Sequence, residues 1–258
     1  TSPLSWLRKG WADLLYAPSL SLLHGFIVAI VSYMIAALAY DRFWLLASAV
    51  SGFLVIAPLL GTSLYAMSCA IEKKRAVNFD LLTRIWTQWQ FQLKEQPDSY
   101  WSLIRFGLLL AMTGTGWVLT SSALITLLSP VAIHTPMDFI RHVVLNQKNY
   151  LFELWLVMGG MMAAPVFASS VVTIPLLLDR RISVLQAVLT SWKAVLRNPA
   201  TMATWSCLIM GLWTIGVLSI FIGLIFILPL LGHASWHAYR DLVDVEGWPD
   251  RMQGQDQP

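Results

Sequence analysis

Long apolar runs alternate with short charged ones along this chain. Residues 19–40, 43–71, 100–128, 150–178, 199–220 and 221–239 are almost continuously apolar, with no charged stripe at helical spacing. A helix crosses the hydrocarbon core of a bilayer with roughly 20 such residues, so each run predicts one membrane-spanning helix. The last two runs share an uncharged stretch between Arg197 and Arg240. That stretch is about twice what one span needs, which predicts a tight turn near Gly216 to Gly223 and two spans in place of one.

Shorter amphipathic segments precede every second run. Residues 5–11, 82–89 and 189–195 mix Trp and aliphatic side chains with Lys or Arg, the composition of a helix lying in the membrane interface. A proline motif recurs in Ile56-Ala57-Pro58-Leu59-Leu60-Gly61-Thr62, Ala163-Ala164-Pro165-Val166-Phe167-Ala168-Ser169 and Leu228-Pro229-Leu230-Leu231-Gly232-His233. Each copy places proline four residues before a polar side chain. Charged pairs close the same spans, at Glu72-Lys73-Lys74, Asp179-Arg180-Arg181 and Arg240-Asp241. Self-similarity on this scale reads as a structural repeat. The chain is therefore expected to be all-α and polytopic, with six transmembrane helices in three repeats of an interfacial helix plus a transmembrane hairpin. The repeats run over about 1–74, 75–181 and 182–246 as a single domain, followed by a flexible polar tail at 247–258.

Charge sets the orientation. In the six-span arrangement 14 of the 17 Lys and Arg residues fall on one side, leaving only Arg42, Arg141 and Lys148 on the other. Basic loops stay in the cytoplasm, so both termini are expected there. Lys73, Lys74, Arg75, Arg180 and Arg181 would then form a membrane-surface basic face suited to anionic lipid head groups. Nucleic acid is not expected as a partner, because the charges border spans and form no separate basic domain. At 57% hydrophobic and 12% charged residues, the chain holds about half the charge of a soluble domain. Cys69 and Cys207 are too few for a disulfide framework or a zinc site.

The proline motif carries the first candidate site. Proline leaves a carbonyl one turn earlier without its donor, and a hydroxyl or water can satisfy it. If the repeats pack around an axis, Thr62, Ser169 and His233 form a polar layer that serves a small solute or proton; the alternative is repair of three kinked helices. A second candidate is a metal or haem site. His233 and His237 share a helical face at i and i+4, and His24 falls in the same half of the bilayer. The alternative is that the histidines only hydrogen-bond between helices.

No Ser–His–Asp grouping, phosphate loop or carboxylate pair is visible in the sequence, and an enzyme is not expected. Glu72, Asp179 and Asp241 read as surface ion pairs. Trp6, Trp11, Trp44, Trp86, Trp89, Trp101, Trp192 and Trp236 read mainly as interfacial anchors. Gly159-Gly160 and Gly107, Gly114 and Gly116 read as helix-packing positions.

The run from Pro229 through Gly232-His233-Ala234-Ser235-Trp236-His237 to Arg240-Asp241-Leu242 resembles the closing segment of a bacterial inner-membrane family known only as domain of unknown function 2189. The segments Trp6 to Asp13, Gly52 to Tyr65, and Leu178 through Trp192 to Pro199 resemble it too. Departure comes at Ala66 to Glu72, where a more basic run is expected. The resemblance implies a multi-pass inner-membrane protein with no assigned reaction. Some members are labelled as cytochrome c oxidase subunit I, a label that five histidines cannot support. Three readings follow. The first is a non-catalytic accessory or assembly subunit packed against a larger inner-membrane complex of respiratory type, with no cofactor. The others are a small-solute transporter or channel, and a haem- or metal-binding protein.

Overall fold

A computed structural model describes residues 2–42, 60–85, 97–146 and 150–249, and every regular element among them is helical. The elements are α1 (Pro3–Tyr16), α2 (Pro18–Leu38), α3 (60–72), α4 (79–85), α5 (Pro97–Leu128), α6 (Pro136–Phe139) continuing as a π-helical turn at Ile140–Val144, α7 (Leu151–Ser170), α8 (Thr173–Asp179), α9 (Val184–Arg197), α10 (Pro199–Leu218) and α11 (Leu224–Leu242). Four helices are long and apolar enough to cross a membrane: Pro18–Leu38, Ile104–Leu128, Leu151–Asp179 and Pro199–Leu218. The expected count of six is not reached among the described residues. Most of the run 43–71 lies outside them. The run 221–239 is helical but carries His233, Ser235 and His237 within α11, which dilute its apolar character.

Prolines set the boundaries. Pro3, Pro18 and Pro199 open α1, α2 and α10, where a missing N–H costs nothing and the fixed φ suits a first turn. Pro18 also explains why α1 stops: the residue before proline is pushed out of helical geometry, and Ala17 sits at φ −129°, ψ 64°. Asn198 before Pro199 has nearly the same dihedrals, φ −130° and ψ 52°. Thus α1 and α9, 14 residues each, are both separated by a single residue from a proline that opens a helix of spanning length. A capping box between Ser183 and Gln186 starts α9.

The turn expected near Gly216 to Gly223 is present over Ser219–Gly223. Its left-handed residues are Ile220 and Phe221, at φ 56° and 65°, and neither is glycine. Ser219 Oγ ties the turn by donating to Gly216 O and accepting from Gly223 N, both at 2.8 Å. The two glycines serve proximity: a Cβ on Gly216 would lie 2.5 Å from Leu224 Cδ2.

α11 is the axis of the fold. α1, α2, α8 and α10 pack against it, and α3 reaches it where Gly232 meets Leu64. Gly10 of α1 lies so close that a Cβ there would be 2.6 Å from Ala234 N. Pro229 cannot donate to Ile225 O, and the freed carbonyl is tucked against Gly25 of α2, at 2.1 Å from the place of an added Cβ.

Packing corrects two expectations. Trp6 and Trp236 are not interfacial anchors; both are fully buried, with Trp6 edge-on to Trp205 at 5.5 Å. Their indole N–H groups donate to Asp241 Oδ2 at 2.7 Å and Glu72 Oε2 at 2.9 Å. α1 is accordingly docked on α11 and does not lie apart in the interface. Second, the expected tail at 247–258 begins with residues the fold holds. Arg180 Nη1 donates to Trp248 O and the Arg181 backbone N to Pro249 O, each at 3.0 Å. Residues 250–258 lie outside the described set.

Candidate functional site

The most concentrated chemistry in the fold lies where α1, α2, α3 and α11 meet. Asp13, Ser21, Ser68 and His233 are buried there, and His237 lies at the margin. Asp13 follows Trp6 and Gly10 at helical spacing, so one face of α1 presents all three to α11. Ser21 takes the corresponding place on α2, ahead of Gly25 and Val28. The short glycine contacts bring the backbones close enough for these small side chains to touch.

A continuous hydrogen-bonded chain results. Ser21 Oγ lies 2.9 Å from His233 Nε2, and Ser68 Oγ lies 2.7 Å from His233 Nδ1. Ser68 donates to Asp13 Oδ2 at 2.6 Å, and His237 Nε2 reaches the same oxygen at 2.8 Å. Hydrogen counting fixes the polarity. Ser68 has one hydroxyl proton and spends it on Asp13, so its oxygen accepts from His233 Nδ1–H. The bare Nε2 then accepts from Ser21. Every buried partner is satisfied, and the donors all point towards the carboxylate.

A second cluster joins the ends of the spans. Glu72 closes α3, Asp179 closes α8 and Arg240 lies in the last turn of α11. Arg240 reaches Glu72 Oε1 at 2.9 Å and Asp179 Oδ2 at 3.8 Å. Asp179 also accepts from Tyr239 OH at 2.7 Å and pairs with Arg180 at 3.0 Å. Burial by itself would lower the Arg240 pKa, but Glu72 and then Asp179 beside it hold the guanidinium above its ordinary value. The surface-pair reading therefore fits Glu72 and not Asp179, which is fully buried. Arg180 likewise turns inward and leaves the basic face, whereas Lys74 and Arg181 remain exposed; Lys73 and Arg75 are half-buried.

The sequence candidates are distributed differently from the layer expected of them. His233 engages Ser21 and Ser68. Ser169 accepts instead from Trp192 Nε1 at 2.9 Å, against α9. Thr62 is buried on α3, a turn and a half before Ser68. Of the histidines, His24 Nδ1 bonds its own helix at Leu20 O, 2.8 Å away, while His237 turns to Asp13. Among the described residues no group of three His, Cys, Asp or Glu side chains is placed to hold a metal ion. The sequence reading missed Asp13, Ser21 and Ser68. The available signal was the Trp6, Gly10, Asp13 spacing, which sets a charge on the same face as a buried aromatic.

The family model described as a predicted integral membrane protein (DUF2189) matches residues 45–179, just over half of the chain. The chain belongs to this family. No curated protein and no solved structure matches it. The DUF2189 match contains Ser68, Glu72 and Asp179, whereas Asp13, Ser21, His233 and His237 lie outside it.

Proposed function

We propose that this member of the DUF2189 family is a non-catalytic accessory or assembly subunit, seated sideways against a larger inner-membrane complex of respiratory type. The observation that carries the reading is the uncovered state of its spanning helices. Only 11% of the α5 window and 17% of the α10 window are buried within the chain. Gly107 and Gly116 of α5, Gly160 of α7 and Gly211 of α10 have nothing among the described residues within 4 Å of an added Cβ. Small residues let a second helix approach closely in lipid. The neighbouring Gly159 shows the use made of such a position inside the chain: the Trp117 ring of α5 packs there, 3.1 Å from the place of an added Cβ. Ser21 is fully buried and its hydroxyl is not presented to a substrate, which supports the non-catalytic part.

The like junctions at Pro18 and Pro199 and the meeting of Glu72, Asp179 and Arg240 support the threefold repeat. In this reading the meeting end faces the cytoplasm with both termini, following the charge bias. Extraction from the native membrane in mild detergent, followed by mass spectrometry, tests the proposal. A stoichiometric membrane complex is expected with the wild-type chain, and its recovery should fall at least about tenfold when Gly160→Leu and Gly211→Leu block close approach. Recovery of the chain alone, or of a complex indifferent to both substitutions, would sink it.

A further inference from the structure

The hairpin of α10 and α11 is most apolar where it turns. Its large exposed apolar side chains all fall between Met210 and Phe226, whereas the exposed positions of α10 before Met210 include Thr204 and Cys207 and no large apolar side chain. We infer that this hairpin is re-entrant: it offers that surface to the acyl chains of the leaflet on the Arg240 side and turns back at the mid-plane without crossing the bilayer.

The tip is level with the middle of α2. Leu224 and Phe221 pack on Val28 and Ala29, halfway from Pro18 to Leu38. α2 runs on for nine residues past Ala29, about 14 Å, while the hairpin has already turned. The proline motif measures the same shortfall. α7 begins 14 residues before Pro165, and α11 begins only five before Pro229. The difference again amounts to about 14 Å, close to half of a hydrocarbon core of about 30 Å. By length α10 is a spanning helix; by depth only its second half enters the core. Met210, the first large apolar side chain exposed on α10, stands eight residues before its end at Leu218, where half a core takes about ten.

The turn itself is built for hydrocarbon. From Phe221 to Ile227 every backbone amide donates within the hairpin, as a backbone out of reach of water requires. Ser219 carries the one polar side chain between Thr214 and His233, and its hydroxyl is taken up by Gly216 O and Gly223 N. A turn in water would place Gly, Asn or Asp at its left-handed positions. Here Ile220 and Phe221 hold them, with Ile220 66% exposed. The charges fit the same depth. His233 lies nine residues from Leu224, about 14 Å, which is the edge of the core, and His237 with its partner Asp13 lies beyond it. A crossing hairpin would draw buried Asp13 into the core, where a carboxylate is costly.

The test uses the purified full chain in liposomes of phosphatidylcholine and phosphatidylglycerol, with a charged maleimide present on both faces. Cys207 is exposed on α10, 11 residues before Leu218, so it lies about 16 Å from the tip and should react. In a crossing hairpin it would stand about 12 Å inside the core and stay unlabelled; peptide mass spectrometry separates it from buried Cys69. A spin label at Ile220→Cys, in a chain carrying Cys207→Ser, should collide more with oxygen and less with a water-soluble nickel complex than a label at Tyr40→Cys beyond the end of α2. Three results overturn the inference. They are an unreactive Cys207, nickel collisions at Ile220 equal to those at Tyr40 because the tip has reached water, and oxygen collisions at Ile220 no higher than at Tyr40 because the tip is enclosed by protein. The first is read on the wild-type chain, so a labelled variant that fails to fold leaves the test standing.

Discussion

Single atoms decide how closely these helices approach. An added Cβ on Gly25 would stand 2.1 Å from a backbone carbonyl oxygen that cannot retreat without moving α11. Gly25→Ala should therefore cost about 3 kcal/mol, in the range of overpacked cores. Gly107→Ala meets nothing within 4 Å among the described residues and should leave stability unchanged or raise it by up to about 1 kcal/mol through helix propensity. Reversible unfolding of both variants in detergent checks the pair, and equal effects would remove the close-packing account of α2 and α11. Tyr239 offers a second test. Its hydroxyl donates to buried Asp179 at 2.7 Å, and a bond to a charged group is worth about 1.5–3 kcal/mol. Tyr239→Phe should lose that amount, with the shape of the core retained.

At the scale of the element, backbone strain and capping set the boundaries. α3 ends with Arg75 N on Ala70 O at 2.8 Å and Lys74 N on Ile71 O at 3.0 Å, the paired bonds of a Schellman ending. The left-handed residue is Lys74 at φ 54°, where glycine carries no Cβ penalty. Lys74→Gly should stabilise the chain by about 1 kcal/mol, read from the same unfolding measurement. In the connection between α5 and α7, Asp138 closes a capping box with Thr135. The Thr135 and His134 amides, then the Thr135 hydroxyl, hold its carboxyl below the ordinary value. A lowered value means the cap is fully formed above the ordinary carboxylate range and is lost as pH falls through the lowered one. Protection of the Thr135 and Asp138 amides, taken relative to their intrinsic exchange rates, should fall in that acid window; a loss of protection on the alkaline side instead would contradict the assignment.

Across the whole molecule, the charged ends of α3, α8 and α11 converge on one cluster, and the amphipathic α1 and α9 gather at the same end. α1 closes that end by packing Trp6 on Trp205 and donating to Asp241. Removing Arg240 leaves Asp179 with Tyr239 and Arg180 but takes from Glu72 the guanidinium 2.9 Å away. Arg240→Ala should therefore loosen the joint between α3 and α11 more than that between α8 and α11. Cross-linking of cysteine pairs placed at the two joints measures this, and equal loosening would show that the cluster acts as one unit.

The sequence by itself determined that this is a helical membrane protein, because span length is a local property that a bilayer enforces, and its motifs carried the resemblance to the DUF2189 family. It also determined the turn after α10, since an uncharged stretch of that length has to fold back. It did not reveal that Trp6 and Trp236 are core residues: a tryptophan beside charges has the same local pattern whether it anchors an interface or donates to a buried carboxylate. Nor did it reveal the chain from Ser21 to Asp13. Its links join residues 212, 165 and 55 positions apart, and two of them are serines that read as incidental within apolar runs. Only the close approach of α1, α2 and α3 to α11, permitted by Gly10, Gly25 and Gly232, places those hydroxyls within hydrogen-bonding distance.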